Sequence, residues 1–555
     1  MKKKQYDKRN EVVEPVVRRQ NAMPESQKQG VIKGPTLAGM LFFFMLFQPL
    51  CMGLSASAQA AAMTGNANEV SVRGGLDSEL SLNSFLSKVI EKNSEIQIQK
   101  REWLANEKLN SASRGIYEPV IKVSVNREGN HVQNNVQQSL QRLYSPEFRE
   151  TNNVWSASLE GLTPTGSTWR LGSEVKKLQN NLQSTGDKEY VAFIGASLTQ
   201  PLLKGGGLHA TSANIHVARA NADIAYEGYR QSRIETVARG VQLYWQCYGA
   251  QEKLKMRQRS VAIADEMLQL NKKRYEAGKI DYMGVLDAES GLRLRKALVA
   301  AAEQTELTAK TNLLSLFGVR SLAQNPVSFR AIDAPECPAV TMDYEKSLSR
   351  AYSSYPQYRS ALRTADRERE RMYFASNQRL PQLDVKGSYG YNGLATDFQA
   401  SLDKALQKEY LSWSVGVDVS IPLLGNIKNR NEYDAARLRK EQAQDRLEMQ
   451  RVELANQMEI VAGLVQRVYD QVLNYERVVA LNGQLTKAEE MRFRLGKSDV
   501  RIMLEREENY LKVRESLLDS RLAYQYALIN HYALEGTLFE HYGLSETDKN
   551  RREYR

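Results

Sequence analysis

Cysteine is nearly absent, with three among 555 residues. Cys51 lies in the N-terminal leader, and Cys247 and Cys337 are too few and too far apart for a disulfide scaffold or a thiolate zinc site. Histidine is as sparse: His131, His209, His216, His531 and His541 lack His-Glu-x-x-His spacing, and each is expected to be a surface or packing residue. Proline is missing between Pro201 and Pro326 and after Pro422, which leaves both tracts free to run as continuous helix. Long apolar runs are lacking too. Leu37–Phe47 (LAGMLFFFMLF) falls short of the ~20 residues a helical span needs, and no other stretch comes near one.

That run sits behind a basic leader, Met1–Gly34, with nine Lys/Arg against four Asp/Glu, and ahead of Ala58-Gln59-Ala60. The arrangement predicts a secretory signal over 1–60. A membrane anchor over Leu37–Leu54 is the competing reading, interrupted by Pro49 and followed by Ser55. Gln48-Pro49-Leu50 precedes Cys51 where a lipoprotein signal uses small residues, which argues against lipidation. Cleavage removes +5 of the net charge of +11, so the pI of 9.2 is partly a property of the leader. An exported chain without a helical span is periplasmic, secreted or a β-barrel.

What the sequence does contain is two copies of one unit. Arg274-Tyr-Glu-Ala-Gly-Lys-Ile-Asp281 returns 218 residues later as Arg492-Phe-Arg-Leu-Gly-Lys-Ser-Asp499, and at that offset Leu286, Glu289, Leu316 and Gly318 match Leu504, Glu507, Leu534 and Gly536. Gln200-Pro-Leu-Leu203 returns as Ile421-Pro-Leu-Leu424, and Pro119 ahead of alternating apolar residues returns as Pro381. Each half reads helix, strands, long helix, turn, helix. The expected organisation is an N-terminal segment 61–79, a first repeat 80–318, a linker 319–341 bearing Pro326, Pro335 and Pro338, a second repeat 342–543 and a polar tail 544–555.

Leu454, Met458, Val461, Val465, Val468, Val472, Tyr475 and Val479 alternate spacings of four and three, a coiled-coil seam. Ile234, Val237, Val241, Tyr244 and Tyr248 repeat it in the first half. Unbroken helix from Leu208 to Arg274 reaches about 100 Å, wider than a compact domain. Trp413, Val415, Val417, Val419 and Ile421 alternate with Ser412, Ser414, Gly416, Asp418 and Ser420, and Ile121, Val123 and Val125 alternate likewise with polar neighbours. Strands of this kind suit a membrane barrel or a periplasmic sandwich.

Membrane-length strands joined to periplasm-length helices, twice per chain, with strand-Pro-Leu-Leu-helix junctions and paired Gly-Lys turns, resemble the TolC-like outer-membrane efflux proteins over about Leu80 to Gly543. The resemblance implies an α+β membrane protein: a homotrimeric outer-membrane β-barrel continued by a long periplasmic α-helical coiled-coil tunnel. It implies a passive duct of a tripartite efflux or type I secretion system, with a periplasmic adaptor and, through it, an inner-membrane transporter as partners. It also makes Gly278, Lys279, Gly496 and Lys497 adaptor contacts, and Asp287 and Glu505 acids of a lumen gate. The family's outer acid position falls on Ile502 here, so a double acidic ring is in question. Acids close to a helix start are also favoured by the helix dipole, and that reading stands beside the gate.

Lys204-Gly-Gly-Gly207 lacks the Gly-Lys-Ser/Thr of a phosphate loop and reads as relief of crowding where strand passes to helix. No nucleophile motif is present, so no enzyme activity, cofactor, metal or nucleic-acid partner is expected. The alternative function is a periplasmic coiled-coil adaptor or envelope scaffold, which needs no alternating strands. The interval from Pro119 to Pro201 is twice that from Pro381 to Pro422, and Leu162-Thr-Pro-Thr-Gly166 inside it signals a turn. The insertion is an extra hairpin or a longer loop; two strands per repeat give twelve in a trimer, and whether more join is open.

Overall fold

A computed structural model describes residues 79–183, 188–317, 330–340 and 342–544; the expected leader with Cys51, and Gly318 and Pro326, lie outside the described residues. In chain order the first repeat holds β1 (Glu79–Leu80), α1 (Leu82–Lys92), α2 (Ser94–Ser113), β2 (Val120–Gln133), α3 (Val136–Gln141), β3 (Glu147–Leu162), β4 (Thr168–Leu178), β5 (Glu189–Pro201), α4 (Leu208–Glu276) and α5 (Tyr282–Ser315). β6 (Arg330–Ala331) follows. The second repeat holds α6 (Tyr344–Ser354), α7 (Pro356–Gln378), β7 (Gln382–Ala395), α8 (Phe398–Leu406), β8 (Tyr410–Ser420), α9 (Ile427–Arg494), α10 (Val500–Glu535) and α11 (Leu538–His541).

The proline-free tracts are the long helices. α4 has 69 residues and α9 has 68, about 100 Å each. Their heptad positions form the core: Ile234, Val237, Val241 and Tyr244 are buried on α4, and Leu454, Met458, Val465, Val468 and Val472 on α9. Among the described residues no helix is long and apolar enough to cross a membrane. Near the sheet the helices lie side by side in the order α2, α4, α7, α9, and towards the far end α5, α4, α10, α9. The segment between the repeats is packed where it is described. Leu80 pairs with Ala331 in parallel, Tyr244 Oη donates to Leu80 O at 2.8 Å, and Tyr524 Oη donates to Pro338 O at 2.5 Å.

All long strands lie in one antiparallel sheet, ordered β2-β3-β4-β5-β7-β8. The insertion is therefore a true hairpin, β3 and β4, seated between the two strands that frame it. The first repeat contributes four strands and the second two. Register lines the alternation up across the strands, because side chains of a strand point alternately to opposite faces. One face carries Val123, Ala157, Leu171, Ala196, Tyr389 and Trp413. The other is laced by polar pairs: Lys122 and Arg170 on Glu160, Lys386 on Asp418, and the hydroxyls of Ser124 with Ser156 and Ser388 with Ser414, each 2.7 Å apart. The strand ends that meet the helices carry Pro201 and Pro381, and at the opposite end α8 folds back onto the apolar face, setting Phe398 edge-on to Trp155 and Tyr190.

Candidate functional site at the paired helix turns

The two Gly-Lys turns are built alike. Gly278 and Gly496 adopt φ of 68° and 73°, the left-handed region where a side chain is strained. Lys279 N–H donates to Arg274 O at 2.8 Å and Lys497 N–H to Arg492 O at 2.8 Å, while the glycine N–H groups reach Tyr275 O and Phe493 O. These are Schellman closures, which satisfy the last carbonyls of α4 and α9. A Cβ at either glycine would meet nothing within 4 Å, so open space lies beside both turns. The next helices start at Asp281 and Asp499, whose carboxylates accept from Gly284 N–H (3.2 Å) and Arg501 N–H (3.3 Å).

Helix-start duty thus belongs to Asp281 and Asp499. Asp287 and Glu505 lie beyond the first turns of α5 and α10, which contain no acid. Both are exposed, hold equivalent places in the two repeats, and make no hydrogen bond or ion pair among the described residues.

The two turns are not independent. The Arg274 guanidinium donates to Phe493 O (2.5 Å) and Arg494 O (3.3 Å) and lies 4.5 Å from the Phe493 ring centroid, so a cation from the first repeat closes the carbonyl end of the second repeat's long helix. Arg494 in turn reaches Glu266 at 2.9 Å. Beneath them Met267, Leu268, Val285, Leu292, Phe493, Met503 and Leu504 form a separate apolar cluster. Farther along, buried Arg295 binds Glu507 at 3.1 Å and Leu504 O at 2.8 Å, with Ser260 Oγ on the same carboxylate at 2.9 Å. Sequence reasoning passed over Arg274, Arg295 and Glu507, although Arg274 and Glu507 stand in the repeat alignment.

Remaining candidates fall into structural roles. Gly205 and Gly207 have φ of 77° and 92° at the passage from β5 to α4. Cys247 is fully buried, and burial pushes its thiol up to about 12; Cys337 is half-buried.

A family model described as outer membrane efflux protein matches residues 165–319 and 347–537. No match is found among curated proteins. The fold is similar to that of the outer membrane channel CmeC of Campylobacter jejuni, at 13% identity and a TM-score of 0.60, covering 85% of this chain and 89% of that one. It is similar to the outer membrane protein VceC of Vibrio cholerae, at 14% identity and a TM-score of 0.58 over 82% and 96% of the two chains. The open state of the MtrE outer membrane channel of Neisseria gonorrhoeae matches at 14% identity and a TM-score of 0.55 over 82% and 89%. With segments of both repeats matched by one family model over more than half of the chain, the chain belongs to the outer membrane efflux protein family.

Proposed function

We propose that three copies of this chain join head to tail into one barrel and one helical tunnel, a passive export duct fed by an inner-membrane transporter through a periplasmic adaptor. The observation that carries this reading is that every layer is an open strip. The sheet ends on β2 and β8, whose residues are exposed on both faces, and the helical layers end on α2 or α5 on one side and α9 on the other. Unpaired strand edges bearing Ile121, Val123, Val415 and Val417 cannot stand in lipid, where each backbone group must be satisfied. Apolar side chains are also bare along the helical flanks, Ile98 and Leu109 on α2, Met449, Val452 and Ile460 on α9. One edge belongs to the first repeat and the other to the second, so the contact is heterologous and closes as a ring.

Six strands per chain then give eighteen in the trimer. With strands ~4.8 Å apart and tilted about 40°, that barrel is about 36 Å across, against about 24 Å for twelve. The polar face with its Lys122-Glu160-Arg170 and Lys386-Asp418 pairs lines the lumen, and the apolar face meets lipid. The adaptor docks at the open Gly278-Lys279 and Gly496-Lys497 turns. An adaptor or scaffold reading leaves a six-stranded sheet with one apolar face unused.

The test is the purified chain in detergent. Native mass spectrometry is expected to give three chains per particle, and electron microscopy a ring of eighteen strands. A monomer that conducts ions in planar bilayers would overturn the reading.

A further inference from the structure

We infer that His209, His216 and Glu370 form a site for a divalent transition ion of the zinc, nickel or copper class, clamping the two repeats together where barrel passes to tunnel. His209 and His216 stand seven residues apart on α4, two turns on one face, directly below the Gly205–Gly207 passage. Glu370 reaches them from α7, in the other repeat. Its Oε2 lies 3.4 Å from His209 Nε2 and 3.3 Å from His216 Nδ1, and one donor atom from each residue lies within 4.8 Å of the others.

The two carboxylate–imidazole spacings suit a shared ion. Zinc binds imidazole nitrogen and carboxylate oxygen at about 2.0–2.2 Å, so two donors at a tetrahedral angle are about 3.4 Å apart. Two imidazoles and a carboxylate favour borderline ions over calcium or magnesium, which take oxygen ligands. Tyr373 on α7 stands edge-on to the His209 ring, with centroids 5.3 Å apart, and packs against that imidazole. Both imidazoles are about half exposed and Glu370 is 18% exposed, which leaves room for the ion to enter and for water as a further ligand. An ion held here ties α4 to α7 directly beneath the sheet, next to the bonds by which Asn377 holds Gly205 N–H (2.8 Å) and Leu203 O (3.1 Å). It makes a brace at the barrel mouth whose strength follows the metal content of the surroundings.

The experiment uses the full chain in detergent, stripped with chelator and titrated by calorimetry with zinc and nickel chloride. One ion per chain is expected at micromolar concentration, with a rise in melting temperature. His209→Asn/His216→Asn is expected to weaken binding at least 100-fold and Glu370→Gln about 10-fold, with the metal-free melting temperature unchanged and the rise on adding zinc abolished. Equal binding by wild type and the double variant would overturn the site, as would no saturable uptake by wild type at millimolar ion. If the double variant fails to assemble, copper(II) on the wild-type protein decides: electron paramagnetic resonance is expected to show hyperfine splitting from two nitrogens, and a spectrum without nitrogen coupling overturns the proposal.

Discussion

At the scale of single residues, the most consequential pair is Arg295 and Glu507. It joins α5 of the first repeat to α10 of the second at positions only 5% and 6% exposed, with Ser260 and Leu504 O completing the shell. Breaking such a pair strands a charge in the interior. Glu507→Ala is therefore expected to cost about 3–5 kcal/mol in denaturant unfolding of the detergent-solubilised protein, whereas Arg295→Met/Glu507→Leu costs far less. Equal losses for the single and double variants would mean that packing, not charge, holds that junction. The residue signal for this pair was half visible. Glu507 aligns with Glu289, but Glu289 stays near the surface on Arg293, and nothing in the repeat marks which copy turns inward.

Among elements, the β3–β4 hairpin separates the two repeats most. Its turn carries Gly166 at φ 90° and rests against the β5–α4 passage, where Gly207 N–H donates to Thr165 O at 3.0 Å. Because β2 and β5 are both antiparallel to the hairpin strand beside them, they remain antiparallel to each other when the hairpin is removed. Joining 133 to 189 through a short loop is expected to leave trimers in the outer membrane with a barrel of twelve strands. The exclusion limit for uncharged polymers, read by single-channel recording on a variant with its tip held open, is expected to fall where the barrel is the narrowest part. An unchanged limit places the constriction in the helical tunnel. Pro119 and Pro201 and the turn residues between them marked an insertion, as an extra hairpin or a longer loop; pairing on both flanks, which makes it a hairpin of the sheet, depends on partners far along the chain.

For the whole molecule, the proposed function follows from repetition around an axis. Asp287 and Glu505 are exposed in one chain; in the trimer we propose, six such carboxylates would converge on a narrow tip, where like charges in a low-dielectric mouth attract cations. With Asp281 and Asp499 serving as the helix starts, the dipole gives Asp287 and Glu505 no structural task. The wild-type channel is expected to be cation-selective and blocked by multivalent cations added from the tip side. Asp287→Ala/Glu505→Ala weakens selectivity and block together while shifting the melting temperature little. Wild-type values of both in that variant would move the gate elsewhere. Ile502 stands where the resemblance to the efflux family puts a second acid, so the proposed gate carries one ring acid per repeat.

Local chemistry was written in the sequence: absent proline gave two helices of nearly seventy residues, heptad spacing gave their buried seam, strict alternation gave the two faces of the sheet, and glycine before lysine gave both turns. Each of these depends on neighbours within a few residues, so a single sequence suffices to read them. Tertiary structure alone decided that the insertion lies inside the sheet, that Arg274 closes the other repeat's helix, that Arg295 meets Glu507, and that Glu370 stands between His209 and His216. Seven-residue spacing put the two histidines on one face, and only folding could bring a carboxylate 154 residues away within 3.3 Å of one of them. Such contacts are set by how the two repeats pack on each other, and no periodicity along one chain encodes the partner across that interface.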